Sequence, residues 1–302
     1  MEIIQVPPTD RQKPSDNIRS RTFFILNNRL DEDVLRSALD RLIRYHWRKL
    51  GARLITRPKD GLPEYHLPRI FDEKYGLFNW SSQEYDHSID KVEFFPKPTP
   101  PENGIVLLPP PRFIEHWFRP LDWPLDRKEE PAGAPMLYVH MSLFADAAVL
   151  GINCPHILVD QFGKANIMRA WLGLIKGEVP QPMVGVKDDI LTNGKLYAEY
   201  PVDEVVRKGR VKVRRWGEYP LVIMGYLPEL IRDRKEDEYT VYLPLPLIVS
   251  LRERHSHALA AKYGVDPGIS NSDIITGILL KVRFQLIQAK VHRLLTSFSS
   301  SA

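Results

Sequence analysis

Cysteine is scarce. Cys154 is the one thiol in 302 residues, which excludes an intrachain disulfide and any cysteine-rich zinc site. Long apolar runs are missing too: no stretch approaches the roughly 20 residues a membrane helix needs, and mean hydropathy is −0.28. The first ten residues, Met1 to Asp10, lack the basic-then-apolar order of a secretory signal, so a cytoplasmic protein with no membrane partner is expected. A strong excess of either charge is missing as well. Lys and Arg number 42 against 38 Asp and Glu, an imbalance too mild to point to nucleic acid. There is no internal repeat, no glycine-rich phosphate loop, and no low-complexity tract beyond the terminal SFSSSA.

What remains is globular. Hydrophobic residues make up 43% and charged residues 26%, enough to bury a core of one large domain or two ordinary ones. The 26 prolines predict long connections. A helix is predicted from Asp31, its cap, to Gly51, its stop. Val34, Leu35, Ala38, Leu39, Leu42, Ile43, Trp47 and Leu50 form its apolar stripe. Arg53-Leu54-Ile55 and Glu64-Tyr65-His66-Leu67 flank a Lys59-Asp60-Gly61 turn and read as a hairpin. Two proline clusters make residues 96–112 a connection without regular structure.

Met136 to Phe144 alternates as a strand does, Ala145-Asp146 turns the chain, and Ala147 to Cys154 returns as a more buried strand. A helix over Asn166 to Lys176 follows, with Ile167, Met168, Trp171, Leu174 and Ile175 inward and Gly177 closing it. Residues 178–220 read as a linker. A strand at Tyr239 to Leu243, a helix through Leu247, Leu251, Leu259 and Tyr263, and a last helix capped by Ser272 complete the pattern. The fold class is α/β, an α+β mixed sheet with flanking helices.

The chemistry concentrates at Asn153-Cys154-Pro155-His156-Ile157-Leu158-Val159-Asp160-Gln161-Phe162-Gly163, whose core is an HxxxD pair, His156 and Asp160. His156 ends a buried strand, and Asp160 lies on the turn into an amphipathic helix. A histidine there projects into a cleft from a rigid support, and imidazole suits proton abstraction from a hydroxyl or amine near neutral pH. By spacing alone, the pair also reads as a strand-end histidine beside a neighbouring carboxylate. Cys154, two residues before His156, follows a buried strand, a poor setting for a thiolate nucleophile.

The segment resembles the active-site motif of the BAHD acyl-CoA-dependent acyltransferases, in their fungal branch. LDEDVLRSALDRLIRYHWRKLGARL followed by KDGLPEYHLP resembles that family's first helix and hairpin, and PMLYVHMSLFADAAVLGINCPHILVDQFGKANIMRAWLGLIKGE its strand, HxxxD loop and helix. YLPLPLIVSLRERH and GISNSDIITGILLK resemble the opening of its second domain, so the likeness covers residues 18–281.

The resemblance implies a chloramphenicol-acetyltransferase-like first domain and an incomplete second one. The expected divisions are 1–190 for the first domain, 191–235 for a crossover and 236–302 for the start of the second. It implies His156 as the general base, Asp160 as structural support held by an arginine, and Gly163 as the residue that allows the tight turn. It implies acyl-CoA as co-substrate with no permanently bound cofactor, and a small-molecule acceptor of secondary metabolism. Condensation domains carry a second histidine before the motif, and Pro155 at that position argues against them. The family's second signature, DFGWG, is absent. Residues 282–302 resemble nothing in the family and are expected to be translated intron or a shifted frame. The competing expectation is a truncated, catalytically silent remnant that serves at most as a binding protein.

Two other features have bland readings. The basic run Arg207-Lys208-Gly209-Arg210, with Lys212, Arg214 and Arg215, reads as a solvated crossover. His255 and His257 lie on different faces of a helix and make a poor metal pair.

Overall fold

The computed structural model describes residues 1–93, 105–108, 110–186, 216–232, 240–266 and 268–282. In chain order the main elements are β1 (Glu2–Gln5), β2 (Arg19–Leu26), α1 (Glu32–Arg41), β3 (Arg53–Thr56), β4 (Pro63–Leu67), β5 (Asn79–Glu84), β6 (Val106–Leu108), α2 (Glu115–Phe118), β7 (Tyr138–Leu143), β8 (Ala148–Pro155), α3 (Gln161–Ile175), α4 (Tyr219–Arg232), β9 (Thr240–Tyr242), α5 (Leu245–Tyr263) and α6 (271–282). The mixed α/β class expected from the pattern is what forms. The chain divides into two compact units, Met1–Phe95 with Pro111–Asp237, and Pro96–Pro110 with Glu238–Ala302.

In the first unit, a sheet of order β2-β8-β7-β5 carries the motif, and a second sheet of order β1-β4-β3 lies in the same unit. β7 and β8 form the expected hairpin, closed by Phe144 N donating to Ala147 O at 2.9 Å. β2 pairs antiparallel with the other edge of β8, and β5 runs parallel to β7. All eight residues of β8 are buried. Leu150, Ile152 and Cys154 join the core that includes Leu35 and Leu39 of α1 and Ile167 and Trp171 of α3. Val149 points the other way, into a cluster with Phe118 and Phe144. A Cβ on Gly151 would lie 1.8 Å from Phe118 O, so only glycine lets α2 approach the strand this closely.

Asp31 caps α1 as expected, accepting from Val34 N at 3.0 Å. The single helix expected up to Gly51 is three pieces. After Arg41 the chain passes through a π turn, Leu42–His46, and a 3-10 turn, Arg48–Gly51. Leu42, Ile43 and Leu50 remain fully buried through this change, so burial of the apolar stripe governs and the regular helix yields. Val34 is 46% exposed and Ile175 39% exposed, so both stand off the stripes they were assigned to. The long helix begins at Gln161, five residues before the expected Asn166, because Asp160 caps it.

Three further expectations are corrected. Residues 96–112 are not without structure: Val106–Leu108 pairs with Thr240–Tyr242, and a 3-10 turn spans Pro111–Ile114. The stretch read as linker and crossover ends in a helix, Tyr219–Arg232, whose early Pro220 suits a first turn. The last helix is capped by Ser270 and not Ser272. Ser270 Oγ accepts from Asp273 N at 3.2 Å, while Asp273 accepts from Ser270 N at 2.8 Å. The basic run at 207–215 and residues 283–302 lie outside the described residues.

In the second unit, β6 and β9 form a two-stranded antiparallel sheet. Ile248 and Ile274 are buried there, yet Leu107, Val241, Leu245 and Leu279 are 66%, 49%, 62% and 64% exposed. Such a density of open apolar side chains favours association. The purified chain is expected to enhance fluorescence of an apolar-surface dye and to self-associate. A monodisperse monomer without dye binding would contradict this.

One buried titratable group makes a second prediction. His140 on β7 is 5% exposed, beside Ser81 Oγ at 2.8 Å and Ser142 Oγ at 3.4 Å. Burial lowers its pKa from 6.5 to about 4. Below pH 6.5 the unfolded chain takes a proton that the folded chain refuses, so stability falls as pH drops from about 6.5 to 4. The loss is on the order of 2 kcal/mol. Urea midpoints at pH 7, 5.5 and 4.5 should fall for the wild type and fall less for His140→Gln.

Candidate active site

β8 ends at Pro155, and His156 is the first residue beyond it. Its backbone stays in the ladder for one more bond: His156 N donates to Ile18 O at 2.8 Å, just before β2. The chain then turns, with Leu158 N donating to Pro155 O at 3.0 Å. Tyr65 Oη, from β4, donates to Ile157 O at 2.8 Å and ties the turn to the other sheet of the unit. Burial holds the Tyr65 phenol well above its ordinary pKa, so the hydroxyl stays a donor. His156 is thus gripped on both sides by backbone bonds, while its half-buried side chain lines a cavity of about 430 Å³.

Asp160 opens α3. Its carboxylate accepts from Gly163 N at 2.7 Å, and its carbonyl accepts from Lys164 N at 3.0 Å. Where the family resemblance implies an arginine partner, the structure gives this carboxylate a backbone one. Gly163 answers a demand for space and not for an unusual turn: it is absent from the positive-φ glycines, and a Cβ there would lie 2.7 Å from Val159 Cβ. His156, Asp160 and Gly163, read from the sequence as one motif, all line the same cavity.

Residues the motif did not reveal complete that wall: Thr9, Asp10, Gln12, Ser15 and Lys49. Lys49 is 5% exposed, donates to Gly185 O at 3.2 Å and sits 4.6 Å from the centre of the Tyr65 ring. Burial lowers its pKa, and the negative charge of Asp10 opposes that shift. A lysine following Trp47 in an amphipathic run carries no signal of burial, and the 3-10 turn that aims it inward is not legible in the pattern.

Behind the strand lies a second polar group. Arg19 on β2 donates from Nε to Asn153 Oδ1 at 2.9 Å and from Nη2 to Met136 O at 2.8 Å, and pairs with Glu130. Its guanidinium lies 4.4 Å from the Tyr138 ring centre. Asn153 Nδ2 donates in turn to Pro124 O at 3.3 Å. An asparagine inside an otherwise apolar strand was the available signal.

Cys154 is fully buried, and burial pushes its thiol pKa up, which removes it as a nucleophile. His255 and His257 are exposed, and among the described residues no group of three or more His, Cys, Asp or Glu is placed to hold a metal. Among the described residues no helix is long and apolar enough to cross a membrane.

A histidine presented by a strand end into a cavity, with an aspartate capping the next helix, defines an HxxxD site on a mixed α/β unit. No protein-family model matches the chain. Sequence relatives are fungal. Acetyltransferase adrJ of Penicillium rubens is 29% identical over 256 residues, covering 82% of this chain and 50% of the relative. Acetyltransferase pyiB of Pyricularia grisea is 28% identical over 255 residues, covering 82% and 49%. A protein named transcriptional regulator calD, from Penicillium decumbens, is 29% identical over 255 residues, covering 82% and 50%. Among solved structures, TRI101 of F. sporotrichioides in complex with coenzyme A and T-2 has a TM-score of 0.46 at 12% identity, covering 67% of this chain and 46% of that one. The chain is similar in sequence to fungal proteins named acetyltransferases. It spans about half the length of the curated relatives it matches.

The cap makes a direct prediction. Asp160→Ala removes the oxygen that satisfies Gly163 N and should cost about 1 kcal/mol, whereas Asp160→Asn keeps an acceptor and should cost a few tenths. Urea denaturation of the two variants checks this. Equal losses would show that the carboxylate's charge matters beyond the cap.

Proposed function

We propose that the chain carries the proton-abstracting part of an acyltransferase, which moves an acyl group from acyl-CoA to a hydroxyl or amine of a small secondary-metabolite acceptor. The observation that carries this reading is the placement of His156, fixed at its backbone on both sides and lining a cavity of about 430 Å³. Relatives named acetyltransferases support it.

In this reading the neutral imidazole takes the proton of the acceptor as its oxygen or nitrogen attacks the thioester carbonyl. The tetrahedral intermediate collapses, the C–S bond breaks, and the imidazolium returns its proton to the departing thiolate. Acyl ester or amide and free CoA are the products, and the histidine ends as it began. Asp160 starts the helix that forms one wall, and Gly163 lets that helix sit against Val159. Residues 1–190 are proposed as the domain that bears the site, 191–235 as a crossover and 236–302 as part of a second domain.

The test uses the full chain with acetyl-CoA and a panel of small alcohols and amines, read as CoA release. His156→Ala should lower transfer by roughly 10²–10⁴-fold, the usual worth of a positioned general base. Equal rates of release from wild type and variant would remove His156 from that role.

A further inference from the structure

Buried arginines need a reason. The Arg19 side chain has no exposed surface, and taking a guanidinium out of water costs several kcal/mol unless its donors are met. Here they are met by three segments at once. Nε and Nη2 reach Asn153 and Met136 O, and Nη1 pairs with Glu130. The planar fork therefore joins β8, the chain entering β7 and the segment after Trp123 through one rigid group.

The location matters more than the number of bonds. Arg19 stands directly across the ladder from Pro155, the last residue of β8. Its predecessor Ile18 supplies the carbonyl that holds His156 N at 2.8 Å. Ile18 is itself bridged to Asp126, and Arg19 N donates to Leu125 O at 3.2 Å. This is the end of a strand pair, where ladders fray first. The side chain that pins it is tied to Asn153 of β8, three residues before His156.

We propose that Arg19 is a positioning residue for His156. Through Asn153 and the 125–136 segment it clamps the open end of the β2–β8 ladder and so fixes where the imidazole enters the cavity. The inference rests on the proposed function only for its consequence in rate; the placement itself is read without any reaction.

Amide hydrogen exchange, resolved by NMR on the full chain, tests it. In Arg19→Met the His156 amide should exchange roughly tenfold faster or more, while the amides of Leu39 and Leu42 keep their wild-type rates, the signature of local opening. Arg19→Lys keeps a cation beside Glu130 without the fork to Asn153. It should show a smaller acceleration at the same place, and it serves if the methionine variant does not fold. An unchanged His156 amide in the variant that folds would overturn the inference, as would acceleration of all three amides together. If the wild type transfers acyl groups, kcat should fall in these variants with KM for acetyl-CoA changed less than about twofold. A wild type that releases no CoA, together with the local exchange result, would sink the proposed function and leave the positioning intact.

Discussion

Each of the eight residues of β8 is buried, and its backbone groups must find partners in β2 or β7. That requirement organises the first unit. It sets the register of both neighbours, because a slip by one residue would turn Leu150, Ile152 and Cys154 away from α1 and α3 and bring Asn153 into the apolar core. It also sets where regular structure stops. Pro155 cannot donate to a further ladder bond, so the strand ends there, and the next residue is delivered beyond the sheet edge with its amide still held.

The two faces of β8 ask for different chemistry. One packs under α1 and α3, where Trp171 Nε1 finds Leu35 O at 2.8 Å and so brings its ring into the core without an orphaned donor. The other face accepts α2 at Gly151 and a polar clamp at Asn153. A sheet with an apolar and a partly polar face tolerates an ionic group at depth because every donor has an oxygen to meet, as Arg19 illustrates.

Much of this was legible. Alternation from Met136 onwards marked the hairpin, and the spacing of Leu35, Ala38 and Leu39 marked α1 with its Asp31 cap. The HxxxD pair also stood where the structure places it. What stayed hidden was non-local. Nothing in IVLL predicts pairing with TVY more than a hundred residues later, because three-residue strands carry too little periodicity to register. Lys49 was hidden for another reason: a π turn and a 3-10 turn rotated the end of the apolar run, and a helical wheel assumes no such rotation. Arg19 sits in a charged stretch, RSRTFF, where burial of one arginine and partial exposure of the next is decided only by partners from distant segments.

The return of the chain into the second unit at Pro96–Pro110, long before it settles there from Glu238, has a practical meaning for dissection of the protein. No single cut separates the units. A fragment ending at Asp237 would keep β6 and lose β9, leaving Val106–Leu108 with a bare row of amides and carbonyls and Leu107 open beside it. Bare edges of that kind recruit strands from other molecules. A clean excision of the histidine-bearing unit would therefore have to replace residues 96–110 with a soluble linker, so that the expression fragment carries no orphaned edge of its own.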